Sequence, residues 1–150
     1  MQTISGFARQ RRQKGFTMIE LLVVLAILGI IVAIALPSYR ASIRKSQRTD
    51  AHISLSRLAT LQERFYFRTN NYTDDFADLI GGATSGSPVD SDEGHYSISL
   101  SANAGGTVWT MVATAVGDQA QDTECAKLTL TSLGAKTSVN SANTASQDCW

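Results

Sequence analysis

Residues 15–36 read GFTMIELLVVLAILGIIVAIAL, and the chemistry of this stretch decides how the rest of the chain is organised. From Leu21 to Leu36 there is no charged or strongly polar side chain. Wound as a helix, Phe16 to Leu36 would be about 32 Å long at ~1.5 Å per residue, close to the ~30 Å hydrocarbon core of a bilayer. One carboxylate, Glu20, sits inside the block near its start. A charge there costs on the order of 2.5–3.5 kcal/mol on insertion scales, so Glu20 calls for a partner.

Three readings of the stretch compete. It could be an uncleaved single-pass anchor whose Glu20 snorkels to the interface. It could be a secretory signal, but the apolar run is long for one and no Ala-x-Ala site follows. The third reading takes the whole junction together: a basic leader, Gly15-Phe16-Thr17-Met18-Ile19-Glu20, an unbroken apolar run, and Pro37 beyond it. That combination resembles the processing site of type IV pilins and the related pseudopilins. An earlier Gly6-Phe7 pair lacks both the glutamate and the apolar run and does not compete.

The resemblance implies specific roles. A membrane prepilin peptidase would cut after Gly15 and methylate the new amino terminus at Phe16. The mature helix would be held in the inner membrane, then drawn by the inner-membrane assembly platform into a filament of pilin subunits. Glu20 would meet the N-terminal ammonium of a neighbouring subunit, and Pro37 matches a recurrent proline of the mature helix. The physical case for the pair stands beside the family. Removing the leader creates an amine at the edge of the apolar block, and Glu20 is the carboxylate within reach. A buried unpaired charge is costly and a paired one much less so.

A chain of 150 residues allows one globular domain and an extended helix. Its formal charge balances to zero, but unevenly. Arg9, Arg11, Arg12 and Lys14 precede Gly15 with no acid among them, which places the N-terminus on the cytoplasmic side and the remainder in the periplasm or outside. Disulfides persist there. Cys125 and Cys149 are the two cysteines, and a bond between them would close a loop of about 25 residues, worth ~3 kcal/mol. Free thiols or a metal role are the alternative, yet His52 and His95 stand near neither cysteine in sequence.

Pro37 is expected to kink or loosen the helix, and the chemistry changes there. Arg40, Arg44, Lys45, Arg48, Arg57, Arg64 and Arg68 follow, while Ala51, Leu55, Leu58, Leu61 and Phe65 fall at three- and four-residue steps. That spacing predicts an amphipathic continuation to about Phe67, its apolar face buried against a sheet made by later residues. Tyr39 and Arg40 fall at the membrane boundary, where aromatic and basic side chains are favoured. The arginines read as a solvated face, with phosphate or lipid-headgroup contact as the second reading.

Thr69-Asn70-Asn71 ends the helix, and Tyr72 to Gly94 reads as loop. Strands are expected at His95–Leu100, Thr107–Val116 and Ala126–Thr131, with a hairpin turn at Asn103–Gly106. The polar tail from Gly134 to Trp150 has too few apolar groups to fold alone and would be tied down by Cys125–Cys149. This order of long helix, variable loop, meander of about three or four antiparallel strands and disulfide-bounded loop is the α+β architecture of the pilin fold. Gln62-Glu63-Arg64-Phe65-Tyr66, Asn71-Tyr72-Thr73, Gly94-His95-Tyr96, Leu128-Thr129-Leu130-Thr131 before Gly134-Ala135-Lys136, and the final Cys-Trp resemble PilE-type minor pilins of type IVa pili. The expected division is therefore a cleaved leader over 1–15, a membrane and filament-core helix over 16–36, its amphipathic continuation over 37–68, and a head over 69–150.

No phosphate loop, dinucleotide turn, metal-ligand cluster or nucleophile elbow occurs, so neither an enzyme nor a cofactor is expected. Asp90-Ser91-Asp92-Glu93-Gly94 is part of a calcium loop with its Gly one position early and other ligands missing, and reads as a solvated acidic loop. The first functional reading is a minor subunit of a type IV pilus serving surface motility and adhesion. A competence pilin that takes up DNA is the second, and a type II secretion pseudopilin the third. From Thr69 onward Lys127 and Lys136 face ten acids. Since DNA affinity comes from neutralising phosphates, direct nucleic-acid binding is not expected of that head.

Overall fold

A computed structural model describes residues 15–150, so the basic leader before Gly15 lies outside the described residues. The first element is a 52-residue helix, α1 (Met18–Thr69). Thr17 starts it: its hydroxyl accepts from the Glu20 amide at 3.3 Å. Thr17-Met18-Ile19-Glu20 has the Thr-x-x-Glu spacing of a capping box, which satisfies an orphan amide and sets a carboxylate at the positive end of the helix dipole. Because Thr17 takes the cap, helix begins at Met18 rather than at the expected Phe16. Pro37 lies inside α1, and the helix continues through it rather than ending there. At the far end Asn70 takes a left-handed φ of 59°, and its amide closes on the Tyr66 carbonyl at 2.8 Å.

The chain divides into two compact units, one ending at Ser38 and the other comprising Tyr39–Trp150. In the first, every described residue is exposed. The second holds the core. Its strands are β1 (Val89–Asp90), β2 (Tyr96–Ala102), β3 (Trp109–Ala115), β4 (Lys127–Thr131) and β5 (Lys136–Val139), joined antiparallel in chain order. Register places Val89, Ile98, Ala113, Leu128 and Ser138 in one row across all five. Period-two alternation buries Trp109, Met111, Ala113 and Ala115 of β3, and this face forms one cluster with Ala51, Leu55 and Leu58 of α1. The sheet is thus the partner that the amphipathic spacing demanded.

Five strands form where three or four were expected. β1 is too short to show alternation. β5, Lys136-Thr137-Ser138-Val139, lies in the tail expected not to fold alone, and it is an edge strand that buries little beyond Ser138. Its order comes from backbone pairing with β4 and from ties beyond it. Cys125 and Cys149 form the disulfide, Cα atoms 5.7 Å apart, and the Trp150 indole donates to the Thr137 carbonyl at 2.9 Å.

The helix face differs in detail from its pattern. Leu61 and Phe65 are only partly buried, whereas Gln62 is fully buried between them. Its side chain donates to the Thr73 carbonyl at 2.7 Å and accepts from the Thr73 amide at 3.3 Å, so it completes the backbone of the loop that leaves the helix. Phe67 is 87% exposed, and the buried face stops short of it. Gly106, with φ 59°, brings the β2–β3 turn against this loop: a Cβ there would meet Asn71 Cβ at 2.9 Å, and the Gly106 carbonyl accepts from the Tyr72 amide at 2.8 Å.

Cys125→Ser should destabilise the head by about 2–5 kcal/mol and loosen the segment from β5 to Trp150. The check is thermal unfolding of the protein in detergent with and without reductant. Identical midpoints would show that the bond contributes nothing.

Candidate functional site

Of the residues singled out in the sequence, Gly15, Phe16, Glu20 and Pro37 lie in the first unit, and Cys125 and Cys149 in the second. Gly15 is exposed, and a Cβ there would have no described atom within 4 Å, so no packing among the described residues explains a glycine. Phe16 is 84% exposed, and the large apolar side chains from Met18 to Leu36 are uncovered as well. The span is long and apolar enough to cross a membrane, with a mean hydropathy of 3.1. Glu20 makes no ion pair among the described residues. It is a carboxylate without an ionic partner among the described residues, in the first turn of an exposed apolar helix.

In the second unit, polar side chains of α1 gather the loops of the head. Arg48 grips Asp122 with two nitrogens, at 2.7 and 2.8 Å, and reaches Glu124 at 3.7 Å. The Asp122 hydrogen bonds hold the guanidinium above its ordinary pKa against the opposing cost of burial. Asp50 accepts from the Ser91 hydroxyl and from the amides of Glu93 and His95 at 3.1 and 3.3 Å. Ser54 accepts from the Asp92 amide at 3.0 Å, and Arg57 pairs with the Asp92 carboxylate at 2.7 Å. The Asp90–Gly94 stretch is therefore engaged in fastening the head to α1. Among the described residues no group of three His, Cys, Asp or Glu is placed to hold a metal.

His52 contradicts its distance in sequence from the cysteines. Its Nε2 lies 2.9 Å from the Cys149 carbonyl, and its ring stacks on Trp150 with centroids 4.8 Å apart. Lys136 lies over the same indole at 5.0 Å. The last two residues of the chain are thus clamped between α1 and β5. Spacing could have flagged some of these ties: Arg48 falls one helical step before Ala51, on the face that Leu55 and Leu58 continue, where a charge must find a buried partner. Nothing local pointed to Asp122, and the Thr17 cap stood in plain view as Thr-x-x-Glu.

Burial lowers the His52 pKa below its ordinary 6.5, with Lys136 and Arg48 adding to the effect and the Cys149 carbonyl opposing it. Between the lowered value and 6.5 the unfolded chain binds more protons than the folded one, so stability rises with pH across that window and falls as pH drops below about 6.5. The thermal midpoint should therefore decline between about pH 7.5 and pH 5.5, and more steeply than in His52→Phe, which keeps a stacking ring without a titrating group. Parallel pH profiles would remove His52 as the source.

Two family profiles match the chain. Residues 10–36 match the prokaryotic N-terminal methylation motif, and residues 37–129 match a family described as type IV minor pilin ComP, DNA uptake sequence receptor. The type IV wide pilus major component PilA4 of Thermus thermophilus is 32% identical over 106 residues, covering 66% of this chain and 80% of that protein. The type IV major pilin protein PilA of Myxococcus xanthus is 42% identical over 72 residues, 48% of this chain, and the chain spans only 32% of that relative's length. A solved type IV pilin from Shewanella oneidensis superposes with a TM-score of 0.49 at 23% identity, over 71% of this chain and 97% of that one.

Proposed function

The chain belongs to the type IV pilin family, and we propose that within it this protein is a minor subunit, cut after Gly15, N-methylated at Phe16 and assembled into or priming a filament for motility or adhesion. Family membership makes it a structural pilin rather than an enzyme, anchored by its apolar helix before it enters an extracellular pilus. The observation that carries the assembly role is Glu20, without an ionic partner among the described residues, at the capped start of a helix whose apolar side chains no described residue covers. Lipid can cover them before assembly and the helices of other copies afterwards. The second setting would give Glu20 a cation from another chain, the amine freed at a neighbour's Phe16.

A second reading draws on the matched profile's description as a DNA uptake receptor. The charge map ranks it below the first. Most basic side chains beyond the leader lie on α1, where Arg48 and Arg57 are already bound to Asp122 and Asp92. The remainder of the second unit carries Lys127 and Lys136 against ten acids, and a duplex gains non-specific affinity only from cations on its phosphates. Retardation of short duplexes at low salt by the purified protein would reverse that ranking.

Glu20→Ala should leave membrane insertion and cleavage at Gly15 intact while lowering incorporation into filaments by about 100-fold or more. Removing one member strands the other charge in an apolar core, at roughly 3–5 kcal/mol for a broken buried pair. Quantifying each variant in membranes and in sheared filaments of the same cells gives the answer. Normal filament content would leave Glu20 with its capping position alone. In the same filaments, the amino-terminal peptide of the wild type should begin at a methylated Phe16, and an intact leader in cells with active prepilin peptidase would contradict the processing.

A further inference from the structure

The short 3-10 turn Gly117–Gln121 is pinned to α1 by one buried side chain. Gln119 Nε2 lies 3.1 Å from the Arg44 carbonyl, 2.9 Å from the Tyr96 hydroxyl and 3.2 Å from Asp122 Oδ2. Pinning leaves a groove between turn and helix, lined by Arg40, Ile43, Arg44, Gln47, Asp118 and Gln121. Arg40 and Arg44 are four residues apart and share a side of the helix. Unlike Arg48 and Arg57, they have no carboxylate within 4 Å among the described residues, and Asp118 has no cation within that distance. The groove thus presents two guanidinium groups and a separate carboxylate, none of them neutralised.

We propose that this groove binds the headgroup of a zwitterionic aminophospholipid, its phosphate on Arg40 and Arg44 and its primary ammonium on Asp118. The fork of a guanidinium matches phosphate geometry, and charge assistance strengthens each hydrogen bond. A lone phosphate would be repelled by Asp118, whereas an ammonium carried by the same molecule turns that carboxylate into a partner. Ile43, 38% exposed, offers apolar surface to the glycerol end of the lipid. Position along the chain agrees: Arg40 follows Leu36 by four residues, about 6 Å as helix and at most ~14 Å fully extended, which keeps it at or near the headgroup layer. The inference rests on the membrane anchoring given above.

The test uses the full chain in detergent, titrated with phosphatidylethanolamine, phosphatidylcholine and phosphatidylglycerol of identical acyl chains, with bound lipid counted by native mass spectrometry. Phosphatidylethanolamine should be retained about tenfold better than the other two, since choline has no N–H to donate to Asp118 and the glycerol headgroup has no ammonium. Asp118→Asn should erase this preference while lipid still binds. Arg40→Gln with Arg44→Gln should lower retention about tenfold. Soluble phosphoethanolamine should displace the lipid better than inorganic phosphate; equal displacement by phosphate would assign the groove to free anions and overturn the lipid assignment. Equal retention of the three lipids by the wild type, or no loss in the double arginine variant, would also overturn it. Alkaline carbonate extraction of cell membranes separates the two failures. A chain released by carbonate fails the anchoring reading, whereas an anchored chain without lipid preference fails this inference alone.

Discussion

Between Met18 and Thr69 one helix carries side chains suited to two different surroundings, hydrocarbon up to Leu36 and a folded head from Arg48 onward. Away from its ends and from Pro37, the backbone hydrogen bonds of such a segment close within itself, and for that reason a helix can leave a protein and enter lipid with few stranded amides. Its side chains have no such independence. Each Leu, Ile or Val left bare forgoes about 1.5–3 kcal/mol that burial would give, and a dozen or more stand in sequence here. That exposure cannot persist in water, so the first unit needs a cover that no described residue supplies. Exchanging lipid for the helices of other copies changes the occupant while the demand stays the same.

The head answers a different problem. Its sheet is small, and three connections, from Asn70 to Pro88, from Ser91 to His95 and from Val116 to Ala126, contain little regular structure. Apolar packing alone would leave them loose. Instead α1 reaches into them with Arg48, Asp50, Ser54, Arg57 and Gln62, each meeting a carboxylate, a hydroxyl or backbone groups of a loop. Such ties contribute modestly to stability when complete and cost several kcal/mol when one partner is lost. They therefore fix where the loops lie more than they raise the stability of the whole. The disulfide and the Trp150–His52 stack do the same for the C-terminal segment.

What could be read from the sequence follows from range. The apolar run, the three- and four-residue spacing of Ala51, Leu55 and Leu58, the alternation in β2 and β4, and the β-branched run that contains β3 are local signals, and each became a helix or strand as expected. β5 was missed because an edge strand with few buried side chains leaves no alternation to read; its existence depends on the β4 ladder beside it. Gln62 was missed for the opposite reason, being a polar residue where the pattern looked for leucine, called in by a loop backbone eleven residues on. Arg48 and Asp122 lie 74 residues apart, a separation over which no local pattern carries information. The Cys125–Cys149 pairing was legible because two cysteines allow a single intramolecular bond.

At the helix start, capping and assembly meet in one side chain. Thr17 satisfies the Glu20 amide through its hydroxyl and the Leu21 amide through its carbonyl, yet the amides of Met18 and Ile19 have no partner within α1, and the helix dipole makes this end positive. Cleavage after Gly15 would add a full ammonium charge close to that end. Two like charges, one partial and one whole, would then sit together at the edge of hydrocarbon. Glu20 lies in the first turn, where it can offset the dipole of its own helix. A neighbour's ammonium would bring the same carboxylate its second positive partner. On the proposed pairing, association of copies would balance the arrangement, because each carboxylate would then be shared between its own helix end and another chain's amine. Under that proposal a pilin helix of this kind would be tolerated in lipid as a monomer and better satisfied in register with its neighbours, so Glu20 would specify stagger rather than merely affinity.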